Sequence, residues 1–148
     1  LVFARSKAAQ RHLAIQFEKG GVEKTYIADV WGVPENGAGL IDLPLGQDWP
    51  NRPRQKVDTE NGKPSQTRYE TIASHAHGAR LKLTPLTGRT HQLRLHLAAI
   101  GHPILGDDIY AHAEALAARG RLHLHATSLR FRHPASQEWL AFEAACPF

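Results

Sequence analysis

The sequence predicts one α+β unit built on a mostly antiparallel sheet. Its 148 residues are enough for a single domain with a buried core. Several short segments alternate apolar and polar residues, as strands with one buried face do. Near the C-terminus, "RLHLHATSLRF" and "EWLAFEA" flank the turn "HPASQ", which is the pattern of a β-hairpin.

The first predicted elements are the end of a strand, "LVFA", and a helix. Ser6 can cap the helix that follows in "SKAAQRHLAIQFEKGG", and the two glycines end it. Apolar residues recur at i, i+4 and i+8, which predicts a buried stripe of Ala9, Leu13 and Phe17.

Two strands and a loop are predicted next. "EKTYIADVWG" alternates, so Tyr26 shares one face with Ala28 and Val30. "GLIDLPL" is a short strand that Pro44 weakens. "GQDWPNRPRQKV" is a loop that contains two prolines.

That loop carries Arg52, Arg54 and Lys56 beside Trp49. Basic side chains with an aromatic among them suit a surface that follows a nucleic-acid backbone and stacks on its bases. The same composition fits a solvated loop held by a half-buried tryptophan. The sequence leaves both interpretations open.

"TRYETIAS" and "ARLKLTPL" predict two further strands, the second with Leu81 and Leu83 turned inward. A helix is predicted from about Thr90 to Ile100, ended by the glycine and proline that follow. At 100° per residue, its apolar face carries Leu93, Leu97 and Ile100. The opposite face carries His91, Arg94 and Ala98. "AEALAARG" predicts one more short helix.

The start of the longer helix, from Gly88 to Arg94, is the strongest candidate site. A helix N-terminus offers free N–H groups and a positive dipole end, and Arg89 and Arg94 add fixed charge. Such a cluster attracts an anion. The anion is either a phosphate of a ligand or a carboxylate of the protein that pairs with Arg94 and holds strand and helix together.

The ten histidines raise the question of a metal site. His123 and His125 lie two apart on one predicted strand, and His91, His96 and His102 are close in the chain. No Cys or His-Glu motif accompanies them, and five-residue spacing on a helix is poor for two ligands. A metal-dependent hydrolase is therefore an alternative with little support, and hydrogen-bonded histidines are the simpler interpretation.

Composition indicates the class of binding partner and the cellular location of the protein. The net charge is +4 and the pI about 9.5, which indicates a polyanionic partner such as nucleic acid. The single cysteine, Cys146, excludes an internal disulfide. No apolar run approaches the roughly 18 residues of a membrane span, so we expect a cytoplasmic protein.

Several segments together resemble the RluA family of pseudouridine synthases, in the order and at the spacing of that family. They are "EKTYIADVWG", "GKPSQTRYE", "LTGRTHQLRLHLAAIGHPILGDDIYA" and "LHLHATSLRFRHP". "DWPNRPRQKV" is similar to the RluA branch itself. The resemblance implies a mixed, mostly antiparallel central sheet flanked by helices and loops. It also implies isomerisation of uridine to pseudouridine in 23S rRNA, in the tRNA anticodon stem-loop, or in both, by a monomer without cofactor or metal.

The resemblance also implies roles for individual residues. Tyr26 matches the active-site tyrosine that packs against the target base and is a candidate base in the final deprotonation. Arg94 matches the arginine that pairs with the catalytic aspartate, and Leu124 matches an apolar position of the base pocket. The further candidates for binding substrate are Arg89, His91, Arg52 and Arg54.

One family motif is absent. The nucleophile of the family is the aspartate of "HRLD", and the aspartates present here lie in segments that match other parts of the pattern. The chain also contains no methionine, even at position 1. We therefore expect residues 1–148 to be the C-terminal major part of one catalytic domain, inactive alone, with Arg94 left without its partner. The alternative is a non-catalytic RNA-binding module on the same scaffold.

Overall fold

The computed structural model describes all 148 residues as an α+β fold. In chain order the elements are α1 (Lys7–Glu18), β1 (Glu23–Trp31), β2 (Ala38–Asp42), β3 (Leu45–Gln47), β4 (Gln55–Val57), β5 (Gln66–His75), β6 (Gly78–Pro85), α2 (Gln92–Ala99), α3 (Ala113–Ala117), β7 (Leu124–Arg132) and β8 (Trp139–Glu143). Six strands form the central sheet in the order β2-β5-β6-β1-β7-β8, and β3 pairs with β4 alone. Every pairing between these strands is antiparallel, so the predicted mostly antiparallel sheet is confirmed.

The main hydrophobic core lies between one face of the sheet and α2. Leu81 and Leu83 are fully buried, as their alternation predicted. A fully buried leucine contributes roughly 1.5–3 kcal/mol, so this face fixes which way β6 is turned. The nine buried core residues are Ala28, Val30, Ile41, Ala79, Leu81, Leu83, Leu93, Leu97 and Ile104.

Helix α2 starts two residues later than predicted. His91 precedes it as the N-cap residue with φ 53°, in the left-handed region, so helical backbone geometry begins at Gln92. Leu93, His96 and Leu97 are buried as the periodicity indicates, and Leu95 is buried as well. The helix contacts β4 in addition to β5 and β6, so the β3–β4 hairpin covers a second side of it.

The segment around Trp49 is more ordered than a loop. β3 and β4 form a small hairpin, and a single 3-10 turn over Trp49–Asn51 connects them. "GLIDLPL" is likewise split into the end of β2 and the start of β3. Pro44, Pro50 and Pro53 therefore lie outside the short strands, where a residue without an N–H group removes no hydrogen bond between strands.

The first residues differ most from the prediction. "LVFA" forms no strand, and Leu1 and Phe3 are exposed. Ser6 caps α1 as predicted, with its Oγ accepting the N–H of Ala9 at 3.2 Å. Only Leu13 of the predicted stripe is buried, because Phe17 faces an open apolar cavity of about 810 Å³. None of the three helices is long and apolar enough to cross a membrane.

Candidate active site

A cavity of about 190 Å³ lies between the start of β1 and the connection from β6 to α2. Five of the seven predicted site residues line it: Tyr26, Arg89, His91, Arg94 and Leu124. These residues come from β1, the β6–α2 connection, α2 and β7, so the fold brings together side chains that are up to 98 positions apart in the chain (26 to 124). Lys24 and Gln92, which the sequence analysis did not select, also line this cavity.

Tyr26 is held on the sheet by strands on both sides. It pairs with Leu83 of β6 and with Ala126 of β7. The β1–β7 register shifts between Thr25 and Tyr26 because β7 carries one extra residue there, Thr127, so the bulge lies on β7 and β1 keeps its alternation. Burial raises the pKa of Tyr26, so the phenol keeps its proton at neutral pH.

Lys24 shares the face of Tyr26 because the two residues are two positions apart on one strand. It is half-buried, and burial lowers its pKa. No carboxylate pairs with its ammonium group within 4.0 Å. The alternation of β1 could have identified this cation, since it places position 24 on the cavity side whenever position 26 is there.

Arg94 is ion-paired with two carboxylates through its Nε and Nη2. Its Nε donates to Oδ2 of Asp107 at 2.8 Å and its Nη2 donates to Oδ1 of Asp107 at 2.6 Å. Nη2 also donates to Asp108 at 3.0 Å. The expectation that Arg94 lacks a partner was therefore wrong. The anion at Arg94 is a carboxylate of the protein itself, 13 residues along the chain.

Asp107 is completely buried and its oxygens are occupied. Besides Arg94, the backbone N–H groups of Ile109 and Tyr110 donate to Oδ1 at 2.9 and 3.0 Å. Burial alone raises the pKa of this carboxyl, but the hydrogen bonds from Arg94 and the backbone outweigh it and lower the pKa. Asp107 is therefore a charged structural partner, and its oxygens are not free to act as a nucleophile.

Gln92 fixes the shape of the connection before α2. Its Oε1 accepts from the hydroxyl of Thr87 at 2.7 Å and from the N–H of Arg89 at 3.0 Å. Its Nε2 donates to the carbonyl of Gln66 and to Thr67. The side chain of Arg89 stays exposed, with one long hydrogen bond of 3.4 Å to a carbonyl. Its charge therefore remains available beside the cavity.

Arg52 and Arg54 lie beside this site in different ways. Arg52 lines a neighbouring cavity of about 450 Å³ that His91 also lines, and its guanidinium stacks 3.7 Å from the ring centre of Trp49. Trp49 is 64% exposed, so the interpretation of a half-buried anchor is wrong. Arg54 lines neither cavity and lies 5.5 Å from the ring centre of Tyr110.

The other histidines considered as metal ligands, His96, His102, His123 and His125, have separate hydrogen-bond partners. His96 lies in the core between the hydroxyl of Thr67 and the carbonyl of Leu43. His102 bonds to the carbonyl of Trp31, and His123 to Asp29. No group of three or more His, Cys, Asp or Glu side chains is placed to hold a metal ion.

Residues 1–99, which include β1, the β3–β4 hairpin and α2, match the profile of the RNA pseudouridylate synthase family. The chain belongs to this family. The resemblance read from the sequence segments is thereby confirmed, and the fold agrees with it.

Bacterial members of the family match the whole chain. "Dual-specificity RNA pseudouridine synthase RluA" of Pasteurella multocida is 53% identical over 149 aligned positions, and that of Escherichia coli K12 is 52% identical. Both alignments cover 100% of this chain and 68% of the relative.

Two solved human structures share the fold. "RNA Pseudouridylate Synthase Domain Containing 1" superposes with a TM-score of 0.83 at 31% identity, covering 98% of this chain and 63% of that one. "RNA Pseudouridylate Synthase Domain Containing 4" gives a TM-score of 0.77 at 25% identity. The chain thus spans about two thirds of the length of these relatives.

Proposed function

We propose that this chain forms most of the active site of a pseudouridine synthase that acts on 23S rRNA and on the tRNA anticodon stem-loop. The observation that carries the proposal is the single cavity lined by Tyr26, Arg94 and Leu124, the residues that match the family's site. The names of the bacterial relatives support RNA as the substrate and a dual specificity.

The reaction breaks the N1–C1′ glycosidic bond of uridine, turns the uracil, and forms a C5–C1′ bond. A proton leaves C5 and N1 gains one, so no cofactor or redox partner is required. Tyr26 packs against the target base beside Leu124. Because burial keeps its phenol protonated, Tyr26 can accept the C5 proton only after a substrate or a neighbouring charge has lowered its pKa.

The nucleophile is proposed to be the aspartate of an "HRLD" motif, which these 148 residues do not contain. Residues 1–148 are then the C-terminal major part of one catalytic domain and are inactive alone. Arg94 can serve this aspartate without leaving Asp107. Its Nε and Nη2 are engaged, whereas its Nη1 makes no hydrogen bond in the protein.

RNA would be held by the cations that have no carboxylate partner. Lys24 and Arg89 line the catalytic cavity, and Arg52 with the exposed Trp49 offers a charged, stackable surface next to it. The target base must leave its stack to enter a cavity of this size, at a cost of a few kcal/mol. We place the protein in the cytoplasm with these RNAs, as a monomer.

The test joins this chain at Leu1 to the "HRLD"-bearing segment of the Escherichia coli relative and assays pseudouridine formation in an anticodon stem-loop RNA. We expect Tyr26→Phe and Arg94→Ala to lower turnover by about 100-fold or more, because the first removes a group at the reacting base and the second removes the cation that pairs with the proposed nucleophile. Tyr69→Phe is the control, since its hydroxyl makes no hydrogen bond and lines neither cavity. Equal losses in all three variants would reject the assignment.

The second candidate is a non-catalytic RNA-binding module on the same scaffold, for which the net charge of +4 is the supporting observation. It predicts that the joined protein binds the stem-loop and forms no pseudouridine. The proposed function predicts both binding and product.

A further inference from the structure

The hydroxyl of Tyr110 connects the β3–β4 hairpin to the catalytic cavity. It lies 2.8 Å from the backbone nitrogen of Gln55 in β4 and 2.9 Å from Nδ1 of His91, which lines the cavity. The backbone N–H of the same tyrosine donates to Asp107, the partner of Arg94. One residue therefore contacts the hairpin, the helix start and the ion pair.

The protons of this network can be assigned from its donors and acceptors. The oxygen of Tyr110 accepts the N–H of Gln55, which leaves its single proton to donate. Nδ1 of His91 is the ring nitrogen within hydrogen-bond distance, and as an acceptor it can take this proton. Burial raises the pKa of Tyr110, so this proton stays in place at neutral pH.

When Nδ1 accepts this proton, a neutral His91 carries its own proton on Nε2. Burial and then the nearby Arg94 lower the pKa of His91, and the opposing carboxylates of Asp107 and Asp108 do not reverse that direction. Nε2 makes no hydrogen bond within the protein, and His91 lines both the catalytic cavity and the cavity of Arg52. Its left-handed backbone, rare outside glycine, is a conformation that collects at functional sites.

We propose that Tyr110 is a positioning residue that fixes His91 as an Nε2–H donor, and that this donor binds an oxygen of the RNA where it passes from the Trp49–Arg52 surface into the catalytic cavity. The proposal rests on the proposed function, because the ligand is the RNA substrate. A neutral donor at this point adds directional recognition to a surface that otherwise binds by charge.

The first test reads the tautomer directly, without any activity. In ¹⁵N-labelled chain at neutral pH, long-range ¹H–¹⁵N spectra should show the His91 ring protonated at Nε2 and unprotonated at Nδ1, with the signal assigned by its loss in His91→Gln. Tyr110→Phe should give a mixture of tautomers, whereas Tyr69→Phe should leave the spectrum unchanged. An Nδ1-protonated or doubly protonated ring in the wild type would overturn the inference.

The second test measures binding to a synthetic tRNA anticodon stem-loop. Losing one hydrogen bond should weaken affinity about three- to tenfold in Tyr110→Phe and in His91→Phe. His91→Gln, whose amide N–H can replace Nε2–H, should retain more affinity than His91→Phe. Equal affinity of His91→Gln and His91→Phe, or a changed tautomer with unchanged binding in Tyr110→Phe, would overturn the donor role. Failure of the wild type itself to bind RNA would instead reject the proposed function.

Discussion

At the scale of single residues, the buried ion pair between Arg94 and Asp107 is the feature on which the site depends most. Removing one partner of a buried pair leaves the other charge uncompensated, so Asp107→Ala should lower the free energy of unfolding by about 3–5 kcal/mol. Asp108→Ala is the matched control, because Asp108 is 82% exposed and its loss should cost less than about 1 kcal/mol. Urea denaturation of both variants measures the difference, and equal losses would contradict this account.

Buried carboxylates also determine how the free energy of unfolding changes at acid pH. Hydrogen bonds from Arg80 and His123 lower the pKa of Asp29 despite the opposing effect of burial, and Asp107 behaves similarly with Arg94. When the pKa of a carboxyl group is lower in the folded protein than in the unfolded chain, its charged form stabilises the fold. This stabilisation is fully present above the unfolded pKa of about 4 and is lost as the pH falls through the folded pKa.

We therefore expect the free energy of unfolding to fall steeply below about pH 4. Asp29→Asn should reduce that slope, since the group that takes up the proton is gone. Urea midpoints measured between neutral and acid pH test this expectation. An Asp29→Asn protein with the wild-type slope would refute it.

Sequence reasoning located Tyr26, Arg94 and Leu124 through motif resemblance, and the structure places all three at one cavity. It did not find Asp107 as the partner of Arg94. The pairing depends on a turn that brings residue 107 back against the helix, and no pattern within the helix encodes that turn. The role of Tyr110 was hidden for the same reason, because its contacts span up to 55 positions of the chain.

At the scale of elements, the turn after α2 determines where Asp107 lies. Gly106 has φ 72°, and a Cβ at this position would clash with the carbonyl oxygen of Arg121. Gly101 has φ 86° with open space around it. Both alanine substitutions incur the backbone strain of a left-handed residue, but only one adds a backbone clash.

Gly106→Ala should therefore destabilise the protein more than Gly101→Ala, which should cost about 1 kcal/mol. Gly106→Ala should also weaken RNA binding, because a displaced Asp107 no longer holds the side chain of Arg94 in place. Thermal or urea unfolding with stem-loop binding measures both effects. Equal destabilisation by the two substitutions would show that the turn is not rigid.

Elements with local signals were predicted well. The alternation of β6, the cap of α1 and the β7–β8 hairpin follow from neighbouring residues, and the structure has each of them. The strand predicted at "LVFA" is absent, because a strand needs a partner edge that no local pattern supplies. The β3–β4 hairpin was read as a loop since its two strands have only three residues each.

At the scale of the whole molecule, a net charge of +4 and uncompensated cations near one cavity predict salt-sensitive RNA binding. The logarithm of the affinity should fall linearly with the logarithm of the salt concentration. Lys24→Gln should reduce that slope by about one, as expected for one phosphate contact. Lys82→Gln is the control, because Lys82 is exposed and alternates to the opposite face from Leu83. RNA-binding titrations at several salt concentrations measure the two slopes. Equal slopes for Lys24→Gln and Lys82→Gln would show that the RNA does not contact Lys24.

The central claim is that this cavity isomerises uridine when a family aspartate is supplied. Tritium release from a stem-loop RNA labelled at C5 of uridine tests it most directly, because that proton leaves when the C5–C1′ bond forms. We predict no release by these 148 residues alone, and release once they are joined to the "HRLD"-bearing segment of the Escherichia coli relative. Release by the chain alone, or a folded, RNA-binding fusion that releases no tritium, would contradict the account.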